Sequence, residues 1–140
     1  PEDWVYIGGE GAPTRLYYDA TWTRIQIDYA GGWTTIGKTF TMPENPNVRL
    51  GIDLEGNGPA DNVTAGTLKI ELTVDGKAYT LQESDILFGR HEIWITLSEV
   101  DALKGVEYAG KEVTYSITCT AVDGKSPISW RKWFRLEQVA

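Results

Sequence analysis

Histidine, cysteine and methionine each occur once in 140 residues, and that scarcity removes most of the chemistry a domain of this size could perform. His91 and Cys119 cannot between them furnish the several nitrogen and sulfur ligands of a catalytic zinc site. A Ser–His–Asp triad would have to recruit His91, which follows Phe88-Gly89-Arg90 without a G-x-S-x-G context. A lone cysteine forms no internal disulfide and leaves the redox compartment open. Cys119 shares the apolar parity of "EVTYSITCTA" and reads as a small core residue.

Positive charge is also short, with 13 Lys and Arg against 20 Asp and Glu, a net charge of −7 and a pI near 4.7. That balance speaks against a nucleic-acid partner, which needs a concentrated basic footprint, and against an anionic membrane surface. No apolar run approaches the ~18 residues of a membrane span, and no signal-peptide or anchor motif is present. The chain opens at Pro1 without a methionine, as expected of a module excised from a longer protein whose flanks would carry the targeting. Long helical patterns are missing as well. Only residues 98–105 read as a helix, with Ser98 and Asp101 as an Asp variant of the capping box and Gly105 as its stop.

What remains is alternation. With 41% hydrophobic and 24% charged residues, the chain has the makeup of one ordinary globular domain over 1–140. Residues 47–54 place Val48, Leu50, Ile52 and Leu54 on one face of a strand. Residues 67–74 do the same with Leu68, Ile70, Leu72 and Val74. Asp75-Gly76 then reads as a type I′ turn, pairing Leu72 with Tyr79 and Ile70 with Leu81. Further strands follow at 91–97, 112–121 and 129–138, the last with Phe134 and Leu136 inward, and two shorter ones lie near the N-terminus. Eight or nine such strands with Gly and Pro turns predict an all-β, antiparallel β-sandwich, jelly-roll-like or immunoglobulin-like, with at most one short helix.

The tryptophans break the usual pattern. In 21–42, Ile25, Ile27 and Tyr29 share one face, while Trp22 shares the other with Arg24, Gln26 and Asp28. A hairpin turning at Gly31-Gly32 would set Trp22 against Thr41, Arg24 against Thr39, Gln26 against Gly37 and Asp28 against Thr35, and bring Trp33 onto that polar face. It also leaves Lys38 beside Ile25, a blemish in the register. The face would run roughly 27 Å from position 22 to position 30. By the same parity Trp94 lies between Glu92 and Thr96, and Trp133 between Arg131 and Arg135, so four of the six tryptophans accompany polar residues. Trp4 and Trp130 read as core or edge packing. Outward indoles offer flat, electron-rich faces to the C–H bonds of sugar rings, and Arg, Gln, Asp and Glu suit paired hydroxyls.

On these residues the chain resembles the non-catalytic β-sandwich carbohydrate-binding modules of plant-cell-wall-degrading bacteria. The resemblance covers the whole chain by size, strand count and outer-face aromatics, and rests on no diagnostic motif. It implies a β-linked plant polysaccharide as partner, β-glucan or xyloglucan first. The ligand-binding set would be Trp22, Arg24, Gln26, Asp28, Trp33, Glu92, Trp94, Arg131 and Trp133. It implies a monomeric module, secreted or at the cell surface, attached to catalytic or other modules, with no enzymatic activity of its own.

Three other readings accompany this one. Asp53, Glu55, Asn57 and Asp61 fall on calcium-loop positions one, three, five and nine, but position twelve is Thr64 rather than Glu. The stretch therefore reads first as a Gly/Asn/Asp turn, with a structural calcium, common in such modules, as the alternative cofactor. Asp28 and Glu92 could form a glycosidase carboxylate pair if they stood ~5–9.5 Å apart. An immunoglobulin-like interaction domain of a bacterial surface protein would use the aromatic patch for protein contacts instead.

Overall fold

The computed structural model describes residues 5–10, 14–18, 22–27, 33–56, 66–85, 89–121 and 128–139, with side chains for 33–55, 66–85, 89, 91–120 and 134–139. Among the described residues ten strands follow in chain order: β1 (Val5–Glu10), β2 (Thr14–Tyr18), β3 (Trp22–Ile27), β4 (Trp33–Thr41), β5 (Val48–Gly56), β6 (Gly66–Val74), β7 (Lys77–Asp85), β8 (Gly89–Thr96), β9 (Glu112–Ala121) and β10 (Ile128–Gln138). They form two five-stranded sheets. The first has the order β1-β4-β9-β6-β7 and the second β2-β3-β10-β5-β8, and every pairing is antiparallel.

The two inner faces make one core. β5 buries Val48, Leu50, Ile52 and Leu54, and β6 buries Leu68, Ile70, Leu72 and Val74, as period-two alternation predicts. β9 adds Val113, Tyr115, Ile117 and Cys119. Phe134 of the second sheet bridges the layers, its ring 5.2 Å from Phe40 and 5.5 Å from Tyr115 of the first. Burial withholds water from the Cys119 thiolate and pushes the thiol up to about 12, so this cysteine is chemically quiet.

The Asp75-Gly76 turn has φ of 51° and 79°, the left-handed pair that a type I′ turn demands and that glycine tolerates best. Leu72 pairs with Tyr79 as expected. Ile70 pairs with Gln82 rather than Leu81, because a bulge intervenes between Ile70 and Glu71. The helix expected over 98–105 does not form. Two single 3-10 turns, Leu97–Glu99 and Asp101–Leu103, stand there instead, split by extended Val100, and neither has a side-chain cap. β-Branched Val100 favours the extended state, and buried Leu97 and Leu103 plug the end of the sandwich.

The largest departure concerns the hairpin expected over 21–42. β3 pairs with β2 and β10 in the second sheet, whereas β4 pairs with β1 and β9 in the first. The chain changes sheets between Ile27 and Trp33, so the cross-strand pairs from Trp22–Thr41 to Asp28–Thr35 do not form. Lys38 accordingly stands opposite Tyr115, not Ile25, with its ammonium 5.7 Å from the Phe134 ring centroid. The Gly31-Gly32 turn itself lies outside the described residues. A Gly-Gly corner between sheets and a Gly-Gly hairpin place the same demand on local sequence, and alternation is the same in both.

Candidate functional site

Alternation in β5 buries its even-numbered residues and sends Arg49, Gly51, Asp53 and Glu55 to the outer face of the second sheet. Register then extends that face strand by strand. Trp22 of β3 stands opposite Arg131 of β10, Arg131 opposite Asp53 of β5, and Asp53 opposite Glu92 of β8. A neighbouring row runs Tyr17, Arg24, Ser129, Glu55 and Arg90 across all five strands. Gln26 pairs with Arg15 one step further along β3. Trp133 falls in the register shift between Arg131 and Phe134, where β10 carries extra residues. Trp94 pairs with Gly51, beside the first row.

Seven of the nine sequence-selected residues thus belong to one sheet: Trp22, Arg24, Gln26, Arg131, Trp133, Glu92 and Trp94. Of the other two, one is placed elsewhere. Trp33 starts β4 in the opposite sheet, where it pairs with Thr120. Asp28 lies outside the described residues. β3 and β8 are separated by β10 and β5, three strand spacings or roughly 14 Å. The path from Trp22 to Trp94 therefore runs across the strands rather than along a hairpin.

Trp94 is the best-defined part of the face. Its six-membered ring lies over Gly51, where a Cβ would meet ring carbons at 2.6–2.7 Å. Its indole N–H donates to Glu92 Oε1 at 3.1 Å. The Arg49 guanidinium carbon is 4.2 Å from the ring centroid, and Arg49 Nη2 donates to Glu137 Oε1 at 2.6 Å. Glu92 and Arg49 thus fix the indole's rotation, while glycine is the one residue that lets it approach the sheet so closely. Gly51→Ala is expected to lift the ring, shifting tryptophan fluorescence. Any binding at this face should weaken by about 1 kcal/mol or more, the size of an overpacking penalty, with the core intact because Leu50 and Ile52 are untouched. Unchanged fluorescence and affinity would count against the close approach.

Asp53, in the middle of the first row, is fully buried. Of the residues of the calcium alternative, Asp53 and Glu55 are strand residues of β5. Asn57 and Asp61 lie outside the described residues, and no group of three metal-ligating side chains occurs among those described. Asp53, Gly51 and Arg49 were overlooked as face residues, although parity within "NVRLGIDL" already opposes them to the buried set.

The two antiparallel sheets packed face to face define the class of fold, a β-sandwich. No family model matches the chain, and no curated protein matches it in sequence. Its fold is that of β-sandwich carbohydrate-binding modules. A structure of TmCBM61 with β-1,4-galactotriose is 9% identical, with 97% of this chain and 88% of that one covered at a TM-score of 0.63. The mannan-recognising module TmCBM27 is 11% identical, with 99% and 90% covered at 0.57. A CBM28 module specific for non-crystalline cellulose is 11% identical, with 99% and 89% covered at 0.62.

Proposed function

We propose that the protein is a non-catalytic polysaccharide-binding module that takes a neutral β-linked chain, β-glucan or xyloglucan first, on the outer face of the second sheet. One observation carries this reading: register alone collects Trp22, Arg131, Asp53 and Glu92 into a row across four strands, with Trp94 laid flat beside it. Galactotriose, mannan and cellulose, the ligands of the three similar structures, are all uncharged β-linked sugars, which supports the class rather than the particular chain. Indoles stack on pyranose faces by dispersion and the hydrophobic effect, while exposed charged groups beside them, Glu92 among them, bond hydroxyls. The reading is one of binding without hydrolysis, because a single open sandwich has little means of raising one carboxyl's pKa. Such a module acts as a monomer, tethered to catalytic or other modules of a secreted or surface protein.

Affinity electrophoresis through gels containing barley β-glucan, xyloglucan, galactomannan, xylan or pectin tests the reading. Retardation is expected in one or more of the neutral gels, little altered by salt because stacking is not ionic. Pectin, a polyanion, should not retard a protein of net charge −7. Free migration in every neutral gel would refute the carbohydrate reading and leave the interaction-domain alternative.

A further inference from the structure

Register brings all six arginines of the chain to the outer rows of the second sheet. Arg15 pairs with Gln26, and Arg24 with Tyr17 and Ser129. Arg131 pairs with Asp53, Arg90 with Glu55, Arg49 with Glu137 and Arg135 with Gly51. None of the seven lysines holds a register position on these rows. The same rows carry four carboxylates, those of Asp53, Glu55, Glu92 and Glu137. With six arginines against four carboxylates, the chain's net charge of −7 divides into +2 on these rows and −9 over the rest.

Opposite charges facing each other across strands stabilise a sheet without any ligand. That accounts for Arg49, whose Nη2 donates to Glu137 Oε1 at 2.6 Å, and for the register of Arg90 and Arg131. It does not account for Arg15 and Arg24. These two hold diagonal positions on β2 and β3, about 7–8 Å apart and within reach of long side chains. Among the described residues no carboxylate stands opposite either of them. Trp22 lies on the same strand and the same face as Arg24, about 7 Å away at the usual strand rise. The exclusion of lysine is informative too. Either cation serves a surface ion pair, but the guanidinium's planar fork alone matches an acceptor with two coplanar oxygens.

We infer that the β2–β3 corner takes a carboxylate carried by the polysaccharide, so that the ligand is a mainly neutral β-linked chain bearing sparse uronate residues. This rests on the polysaccharide reading of the face and narrows it. A uronate carboxylate lies at the edge of its pyranose, so a ring stacked at Trp22 directs it along β3 towards Arg24 and Arg15. There it offsets the repulsion between two like charges that have no carboxylate in register. A carboxylate presents two coplanar oxygens to each fork, which a tetrahedral sulfate ester does less well. The screening length in physiological salt is about 8 Å, so the local pair outweighs the distant negative charge of the rest of the molecule. Sparse carboxylates fit better than continuous ones, because Asp53, Glu55 and Glu92 occupy the same rows further across the sheet. A chain charged at every residue, such as pectin, would meet them.

Calorimetric titration with matched pairs of chains tests this: barley β-glucan, xyloglucan and galactomannan, each native and sparsely oxidised at C6 to the uronate. The oxidised member of the pair that binds best is expected to bind about fivefold more tightly or better at low salt, the worth of a charge-assisted contact at a solvent-facing site. The advantage should shrink as salt is raised, while affinity for the native chain holds. Arg15→Gln should remove most of the advantage and leave affinity for the native chain unchanged. Arg24→Gln should remove it as well. Circular dichroism verifies the fold of both variants, and the comparison of native with oxidised chains on the parent needs neither. Equal affinity of the parent for both members of every pair would overturn the inference and leave the polysaccharide reading standing. Binding to no chain of either kind would remove that reading and the inference with it. An advantage that survives both variants, or a stronger preference for sulfated galactan, heparin or single-stranded DNA than for any oxidised chain, would also overturn the inference.

Discussion

Trp94→Ala is expected to lower affinity for a bound soluble β-glucan by more than tenfold while leaving the unfolding midpoint nearly unchanged. The ring is positioned before any ligand arrives. Gly51 sets its height over the sheet, Glu92 holds its N–H and Arg49 lies against its π-system, so a sugar that stacks there orders little side-chain motion on binding. Truncating such an aromatic anchor costs about 2 kcal/mol or more, which exceeds a tenfold change in affinity. Trp94 lies on the outer face of β8 and is not part of the buried core, which is why stability should hold. Calorimetric titration of the folded variant checks the expectation, with Trp22→Ala and Trp133→Ala as companions along the proposed path. Trp33→Ala, on the far sheet, should bind as the parent does. If Trp94→Ala matches the parent and Trp33→Ala does not, the ligand lies on the first sheet and the path across β3, β10 and β8 is wrong.

The contrast between Trp33 and Trp94 shows how far the amino-acid order could be read. Parity is a local property, and it opposed Trp94 to Ile93 and Ile95, and Thr35 and Thr39 of β4 to Ile36. It also gave the buried faces of β5, β6 and β9, because burial on one side imposes period two whatever the partner strand. Strand order is not local. Nothing within 21–42 says whether β4 returns beside β3 or crosses to the other sheet, and the one misfit, Lys38 beside Ile25, was a symptom of the wrong choice. The consequence for the site is specific. Its rows are assembled from strands as far apart in the chain as β3 and β10, so Asp53 joins the face only once β5 is known to lie between β10 and β8. The 98–105 segment failed for a different reason: two buried leucines at the sandwich end outweigh a weak helical pattern.

Tyr115→Ala is expected to destabilise the fold by about 3–5 kcal/mol, in the manner of other fully buried aromatic truncations. Tyr115 is completely inaccessible, sits on the central strand β9, flanked by β4 and β6, and its ring meets Phe134 of the other sheet at 5.5 Å. Removing it opens a cavity between the layers where rigid strands on both sides cannot collapse, so the transfer and cavity penalties add. A domain of this size has a total stability of about 5–15 kcal/mol, and the variant should unfold at a much lower urea concentration. Tyr115→Phe keeps the ring and should cost far less. The phenol adds a pH signature. Burial raises its pKa well above the ordinary tyrosine value, so the protonated form is favoured in the folded state and the charged form in the unfolded chain. This contribution is intact below the ordinary tyrosine pKa and is lost as pH climbs through and above it. Urea melts at neutral and strongly alkaline pH should therefore show the parent losing more stability with rising pH than Tyr115→Phe does. A parent and variant that fall in parallel would place the alkaline sensitivity elsewhere, and a Tyr115→Ala midpoint close to the parent's would mean that the two sheets are not held together through this ring.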